Sequence, residues 1–284
     1  MSEPARWFVT GAGGQLATAL AAVLDGDVFL SREEALDIRD EAAVHAAVHA
    51  FAPDFLIHTA AYTDVDGAEA HPELAEAVNV QGTRNLVRAV RGTHTTLVYI
   101  SSDYVFDGRK AAPYVESDPT GPLGVYARTK LEGELAVLEF ARGIVVRTAW
   151  LFGESGRNFV RTILRVGREN AAKGEPLRVV DDQTGSPTYA AHLAAALAEL
   201  LAGGAGAGIY HLAGGGWCSW CELAREVVAL AGIEVDVLPI TTAEAGRPAP
   251  RPAFSALASE RPIPHLPHWA DGVAECVDRL VPPG

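Results

Sequence analysis

The residues best suited to chemistry are a tyrosine and a lysine four positions apart, Tyr126 and Lys130, with Ser102 upstream of them. A helix that begins near Tyr126 would place both side chains on one face. A neighbouring ammonium favours the phenolate and lowers the pKa of the phenol, which makes the tyrosine a usable general acid or base. Ser102 follows a predicted buried strand over 96–101, so its hydroxyl can hydrogen-bond the same substrate oxygen. The spacing therefore predicts proton transfer to or from a bound substrate.

The Tyr-x-x-x-Lys spacing alone is weak evidence, because an ordinary surface pair on a helix has the same spacing. Two further features favour the catalytic interpretation. One is the serine at the end of the preceding strand, and the other is a glycine-containing turn that opens the chain.

That turn follows a short predicted strand over 6–10 and contains Gly11 and Gly14. A helical pattern of apolar residues, including Leu16 and Leu20, comes directly after it. Glycines let the backbone approach a pyrophosphate, and the start of the helix offers N–H groups and a positive dipole end. Strand, turn and helix together predict a dinucleotide site, although an ordinary tight turn is the alternative.

The residues after the second predicted strand, 27–31, indicate which dinucleotide binds. The strand runs into Ser31 and Arg32, and a hydroxyl with a guanidinium suits the 2′-phosphate of NADPH. A surface role for Arg32 is the alternative. NADH remains a second candidate cofactor, because the next residue, Glu33, could reach a ribose. Asp37 and Ile38 could lie over the adenine.

The order of predicted elements indicates the fold class. Strands and helices alternate as far as residue 150, which predicts a doubly wound parallel sheet of the Rossmann type in an α/β protein. From Leu151 onward glycine, asparagine and proline are frequent and helices are shorter. We predict a dinucleotide-binding domain over 1–150 and a smaller, mainly substrate-binding domain over 151–284. Within the latter, about 176–212 is predicted to return to the Rossmann sheet.

The amino-acid composition limits the classes of binding partner that we expect. The net charge of −13 argues against nucleic acid and anionic membranes. We find no cationic leader and no run of 18 apolar residues, so we expect a cytoplasmic protein. The three cysteines cannot form a disulfide framework, and the Cys218–Cys221 pair lacks a second pair to close a zinc site. We therefore predict buried thiols and no metal.

Several strings of the sequence resemble the extended short-chain dehydrogenase/reductase superfamily and, within it, the dTDP-4-dehydrorhamnose reductase family. The resemblance runs the whole length of the chain. Its most specific strings are SSDYVFDG and DDQTGSPT, and further strings are VYARTKLEGE, TGAGGQL, HTAAYTDVDGAE, NVQGTRNL and RPAFSAL.

The resemblance implies a role for each matching position. Ser102, Tyr126 and Lys130 would form the catalytic triad. The residues implied to line the cofactor are Gly11, Gly14, Gln15, Leu16, Asp37, Ile38, Ala60, Ala61 and Tyr62. Those implied to lie near the sugar nucleotide are Asp103, Trp150, Asn158 and Arg251. Of these, Trp150 would pack against the hexose.

The activity implied is transfer of a hydride from NADPH to the C4 ketone of a dTDP-4-keto-6-deoxy-L-hexose, with Tyr126 as the proton donor. One alternative is the same chemistry on another dTDP-deoxysugar. The other is a non-catalytic, reductase-like regulatory subunit, which the intact triad argues against. The expected partner is the sugar nucleotide, with a homodimer as the expected assembly. Some relatives hold magnesium at a dimer contact, but alanines and a histidine occupy that region here, so we predict no metal.

Overall fold

The computed structural model describes residues 4–281 as twelve strands and eleven α-helices. The strands are β1 Arg6–Thr10, β2 Asp27–Ser31, β3 Phe55–His58, β4 Thr96–Ser102, β5 Gly143–Thr148, β6 Leu151–Phe152, β7 Leu177–Val180, β8 Thr184–Gly185, β9 Thr188–Tyr189, β10 Gly208–His211, β11 Cys218–Ser219 and β12 Val237–Ile240. The helices are α1 Gln15–Val23, α2 Glu41–Phe51, α3 Val65–Ala70, α4 Pro72–Glu76, α5 Thr83–Val90, α6 Val125–Leu138, α7 Phe159–Ala171, α8 Ala190–Ala202, α9 Trp220–Leu230, α10 Thr242–Ala245 and α11 Trp269–Leu280.

Six strands form one parallel sheet in the order β10-β5-β4-β3-β1-β2. The register places Thr10 opposite both Ser31 and His58, and Ser102 opposite Thr148. The carboxyl ends of the strands therefore meet along one edge, and the strand order reverses between β1 and β3, where α/β sheets bind ligands. This arrangement confirms the predicted doubly wound fold.

Side chains alternate between the two faces of this sheet, because successive residues of a strand point to opposite sides. Val9 and Ile57 pack with residues of α1 and α8 on one face. Phe8 and Leu56 pack with residues of α2 and α5 on the other. Both faces are covered by helices, as the continuous apolar strands of a buried parallel sheet require.

The segment over about 176–212, which was predicted to return to the Rossmann sheet, does so only in part. Gly208–His211 forms β10 beside β5, and α8 packs against α1. Leu177–Val180, however, pairs with β12 in a separate two-stranded sheet, which corrects the predicted start at 176. The reason is that Leu177 and Val179 bury their side chains in a second core. The domain limits remain a prediction, and their outer ends, 1–3 and 282–284, lie outside the described residues.

The second core is built by α7, α9 and α11 around β7. Cys218, Cys221 and Cys276 are free, buried members of it. Burial raises the pKa of the Cys276 thiol to about 12, so it stays uncharged at neutral pH. Among residues 4–281, no three His, Cys, Asp or Glu side chains are grouped so as to hold a metal ion.

A π-helical segment, Ala77–Gly82, joins α4 to α5. Within it Asn79 turns toward Tyr62, whose backbone N–H donates to the Asn79 side-chain oxygen at 2.8 Å. A Cβ at Gly82 would approach the Ile38 side chain to 2.6 Å, so the helix and the Ile38 loop pack closely there. The segment thus fixes two loops that border the sheet edge. In the described part of the chain, no helix has the length and apolar character needed to cross a membrane.

Candidate active site

A cleft of about 1000 Å³ runs along the carboxyl ends of five of the six parallel strands, β1 to β5. Its walls come from the turn after β1, the ends of β2 to β5, the start of α6 and the segment after β5. Most of the residues singled out from the sequence line it. These are Gly11, Gly14, Gln15, Leu16, Ser31, Asp37, Ile38, Ala60, Ala61, Tyr62, Ser102, Tyr126, Lys130 and Trp150.

The glycine turn after β1 has the geometry of a close backbone approach. Gly11 has a φ of +76°, which favours glycine, and a Cβ there would lie 2.8 Å from the Ala60 nitrogen. Gly14 caps the start of α1, and its N–H donates to the Gly11 carbonyl at 3.0 Å. The start of α1 therefore borders the cleft, and Gly11 and Gly14 add no side chains of their own there.

Near the end of β2, a basic residue other than the predicted Arg32 lines the cleft. Arg32 does not line the cleft, whereas Arg39 does. The guanidinium of Arg39 donates to both carboxylate oxygens of Asp37, at 2.7 and 2.8 Å. Arg39 was not predicted, because its place on the cleft wall depends on the conformation of the loop after β2. The Asp-x-Arg spacing of residues 37 and 39 was the available signal.

Three buried hydroxyls in the described residues have no hydrogen-bond partner, and all three line this cleft. They belong to Ser31, Ser101 and Thr148. Buried polar groups are nearly always paired in proteins, so unpaired groups on a cleft wall indicate a polar ligand. The residues present therefore fit a dinucleotide, with polar partners at both ends of the cleft.

Ser102, Tyr126 and Lys130 come together in the cleft. Ser102 ends β4, while Tyr126 and Lys130 lie in the first turns of α6. The Lys130 ammonium donates to the Ile100 carbonyl at 2.7 Å and lies 4.0 Å from the centre of the Tyr99 ring. Burial lowers the pKa of Lys130 to about 7, opposed by the Glu134 carboxylate.

The pKa of Tyr126 moves in the opposite direction from the one that the sequence suggests. Burial raises it to about 12, although the nearby Ser102 hydroxyl acts to lower it. Lys130 does not offset this, because its pKa of about 7 leaves the amine uncharged at the pH where a phenol ionises. Tyr126 therefore keeps its proton at neutral pH, which suits a proton donor better than a base.

The buried charge of Lys130 predicts a dependence of stability on pH. Between pH 7 and 10.5 the unfolded chain holds a proton that the native state has released, so stability rises with pH in this range. We expect Lys130→Met to raise the melting temperature at pH 6, and the gain to shrink toward pH 9. The exposed Lys173→Met is the control. A gain that is equal at both pH values, or equal to that of the control, would contradict a buried ammonium.

Asp103 lies behind the cleft wall and does not line it. It is 1% exposed, and the Ser102 and Ser255 hydroxyls donate to its two carboxylate oxygens at 3.0 and 2.5 Å. Burial raises the pKa of Asp103 to about 7, against the opposing effect of these hydrogen bonds. Ser255 was missed, since nothing in the local sequence around it indicates contact with Asp103.

Trp150 lines the cleft in an unusual backbone conformation. Its φ of +46° is in the left-handed region, where a bulky residue is strained. Its ring stacks on Trp220 with centroids 3.4 Å apart, and a Cβ at position 185, which is glycine, would lie 2.3 Å from it. One face of the ring is thus covered, and the strain is maintained by packing against the second core.

Asn158 and Arg251 lie outside the residues that line the cleft. The Asn158 amide donates at 3.0 Å to Gln15, which does line it. Arg251 forms a two-pronged ion pair with Asp66, with both contacts at 3.0 Å. A substrate role for either residue remains a prediction. Arg157, which the sequence did not single out, lines the cleft and adds a cation there.

Comparison with known proteins gives consistent matches. The family model described as RmlD substrate binding domain matches residues 5–281. A dTDP-4-dehydrorhamnose reductase of Streptomyces griseus is 43% identical, with 97% of this chain and 94% of that protein covered. A probable dTDP-4,6-dihydroxy-2-methyloxan-3-one 4-ketoreductase of Streptomyces antibioticus is 39% identical, with 90% and 88% covered. A crystal structure of the Bacillus anthracis dTDP-4-dehydrorhamnose reductase in complex with NADP matches with a TM-score of 0.93 and 36% identity, over 97% of this chain and 99% of that one.

Proposed function

Because the chain belongs to the RmlD family, we propose that it is a dTDP-4-dehydrorhamnose reductase, which reduces the C4 ketone of its dTDP-sugar to an alcohol with NADPH. The observation that carries this proposal is the shared cleft. The glycine turn and the Ser102, Tyr126 and Lys130 side chains face one space, so a hydride donor and a proton donor would meet there.

NADPH, when bound, supplies the hydride, and the chain supplies its binding site. Gly11 and Gly14 leave room for the pyrophosphate at the start of α1. The unpaired Ser31 hydroxyl and the Arg39 guanidinium suit the 2′-phosphate at the end of β2. Lys130 would bind the nicotinamide ribose hydroxyls.

Tyr126 delivers the proton that completes the reduction. The phenol O–H transfers its hydrogen to the ketone oxygen as negative charge develops there, and the tyrosine regains a proton from solvent afterwards. Ser102 holds the same oxygen by a hydrogen bond. Both groups act in a buried site, where a hydrogen bond to a developing alkoxide is stronger than in water.

The sugar nucleotide carries two negative charges on its diphosphate, although the chain carries a net charge of −13. Local cations must therefore offset the overall field. Arg157 on the cleft wall is one candidate, and Arg251 is another if its ion pair with Asp66 opens toward the substrate. Trp150 offers the uncovered part of its ring to the 6-deoxy methyl group.

A second candidate is the reduction of a different dTDP-deoxysugar. Its support is the 39% identity to a relative whose printed name is that of another 4-ketoreductase. The triad residues would act identically on either sugar, so the residues of the C-terminal half must decide between them. A homodimer and a cytoplasmic location complete the proposal.

The test is an assay of purified protein with NADPH and a panel of dTDP-4-keto-6-deoxyhexoses, with product stereochemistry read by NMR. We expect fastest turnover with dTDP-4-dehydrorhamnose and dTDP-L-rhamnose as the product. Faster turnover of another sugar would favour the second candidate. NADPH binding without oxidation by any member of the panel would favour the regulatory alternative.

We predict unequal effects on cofactor preference for substitutions of Arg39, which lines the cleft, and Arg32, which does not. We expect Arg39→Ala to raise KM for NADPH about 10-fold relative to KM for NADH, because a charge-assisted contact to the 2′-phosphate is lost. Arg32→Ala, the matched control, should change this ratio less than about 2-fold, since an exposed charge contributes little. The reverse order would restore Arg32 as the residue that binds the 2′-phosphate.

A further inference from the structure

A buried chain of hydrogen bonds joins Ser102 to a distant part of the sequence. Asp103 accepts from Ser102 on one carboxylate oxygen and from Ser255 on the other. Both Asp103 and Ser255 are 1% exposed, and neither lines the cleft. Ser255 belongs to a loop over 253–258 that we call the C-terminal clamp.

The C-terminal clamp is anchored on both sides. The Ser255 N–H donates to the Thr184 carbonyl at 2.8 Å, and the Ala258 N–H donates to the Tyr114 carbonyl at 2.9 Å. These contacts come from the second half of the chain and from the loop before α6. The position of the Ser255 hydroxyl is therefore set by backbone pairing and does not depend on the cleft.

Two acceptors would compete for the Ser102 hydroxyl hydrogen, namely the Asp103 carboxylate and the substrate carbonyl oxygen. Ser102 has a single O–H, which points to Asp103 in the structure. To hold a substrate carbonyl, that hydrogen must turn away from the carboxylate. A buried carboxylate that loses its donors is costly, because desolvation of the charge is then uncompensated. The Ser255 hydroxyl keeps one donor on Asp103 while Ser102 turns.

We propose that Asp103 and Ser255 are positioning residues for the reduction: Ser255 satisfies the Asp103 carboxylate and thereby frees the Ser102 hydroxyl to hold the substrate oxygen. This inference rests on the proposed reductase activity. It assigns the C-terminal clamp a part in turnover, although the clamp does not line the cleft.

The test is a double-mutant cycle on kcat with dTDP-4-dehydrorhamnose and NADPH. We expect Ser255→Ala to lower kcat about 10-fold, because Ser102 is then retained by a carboxylate with no other side-chain donor. KM for NADPH should stay within about 2-fold, as the cofactor half is untouched. In the Asp103→Asn background the same change should cost less than about 2-fold, since a neutral amide competes weakly.

The control is Ser186→Ala. Ser186 accepts from the Leu257 N–H of the clamp at 3.3 Å but does not touch Asp103. This variant should lower the melting temperature as much as Ser255→Ala while leaving kcat within about 2-fold. If Ser255→Ala does not fold, Ser255→Cys keeps a side chain of similar shape, with a larger atom that is a weaker donor, and should also lower kcat. An equal loss of kcat in both backgrounds, or with Ser186→Ala, would overturn the proposal.

A second readout separates this inference from the proposed activity. An inactive wild-type protein would contradict the reductase assignment, but the carboxyl of Asp103 can still be titrated by carbon NMR. We expect its pKa to rise in Ser255→Ala and to stay unchanged in Ser186→Ala, because only the former removes a donor to the ionised carboxylate. An unchanged pKa in Ser255→Ala would overturn the coupling whether or not the protein is active.

Discussion

Tyr126→Phe is expected to lower kcat by about 100-fold or more, the scale of a positioned proton donor. The phenylalanine ring fills the same buried space, so folding and NADPH binding should persist. The loss arises because the only other O–H that we place beside the developing alkoxide is the Ser102 hydroxyl, and an aliphatic alcohol is a much weaker acid than a phenol. The measurement is single-turnover NADPH oxidation with a saturating dTDP-4-keto sugar, with the NADPH Kd taken from fluorescence titration.

The matched control is Tyr210→Phe. The Tyr210 hydroxyl donates to the Gly206 carbonyl at 2.9 Å on the far edge of the sheet, away from the cleft. It should leave kcat within about 2-fold. A Tyr126→Phe variant that binds NADPH normally and turns over at a rate near that of the control would contradict the role of Tyr126 as proton donor.

Arg147→Met is expected to lower the free energy of unfolding by about 3–5 kcal/mol, because it leaves a buried carboxylate unpaired. Arg147 on β5 donates to both oxygens of Glu134 on α6, at 2.9 and 2.7 Å, and the two side chains are 3% and 1% exposed. This pair lies one turn below Lys130 and fixes the helix that carries it. Urea unfolding with a constant m-value provides the measurement.

The double variant Arg147→Met with Glu134→Met should recover most of the loss, because it replaces the ion pair by apolar side chains. As a surface control we choose the Arg165–Glu169 pair, at 2.8 Å, whose side chains are 64% and 50% exposed. Arg165→Met should cost less than about 0.5 kcal/mol. If Arg147→Met costs no more than this control, the buried pair does not stabilise the α6 helix.

The half of the cleft beside the glycine turn was predictable from the sequence, because its geometry is local. Gly11, Gly14 and the start of α1 follow each other within a few residues, so a strand, a turn and a helix define where they lie. The same holds for Tyr126 and Lys130, which one helix brings together. Parallel strands then align these local sites along one edge, since their carboxyl ends must meet there.

The contacts that cross large stretches of sequence were decided by tertiary structure. Arg251 meets Asp66 across 185 positions, and Ser255 meets Asp103 across 152. No local sequence pattern predicts such a pairing, because it depends on how the C-terminal half packs on the sheet. The strained conformation of Trp150 is likewise imposed by its stacking on Trp220.

The pKa values of Tyr126 and Lys130 also show which properties the sequence determined and which the tertiary structure decided. Residue types and spacing alone suggest that Lys130 lowers the pKa of Tyr126. Burial, which only the folded structure determines, instead raises the pKa of Tyr126 and lowers that of Lys130. The sequence determined which groups meet, since the helix places them side by side. Tertiary structure decided their protonation, because desolvation depends on every element that excludes water from the site.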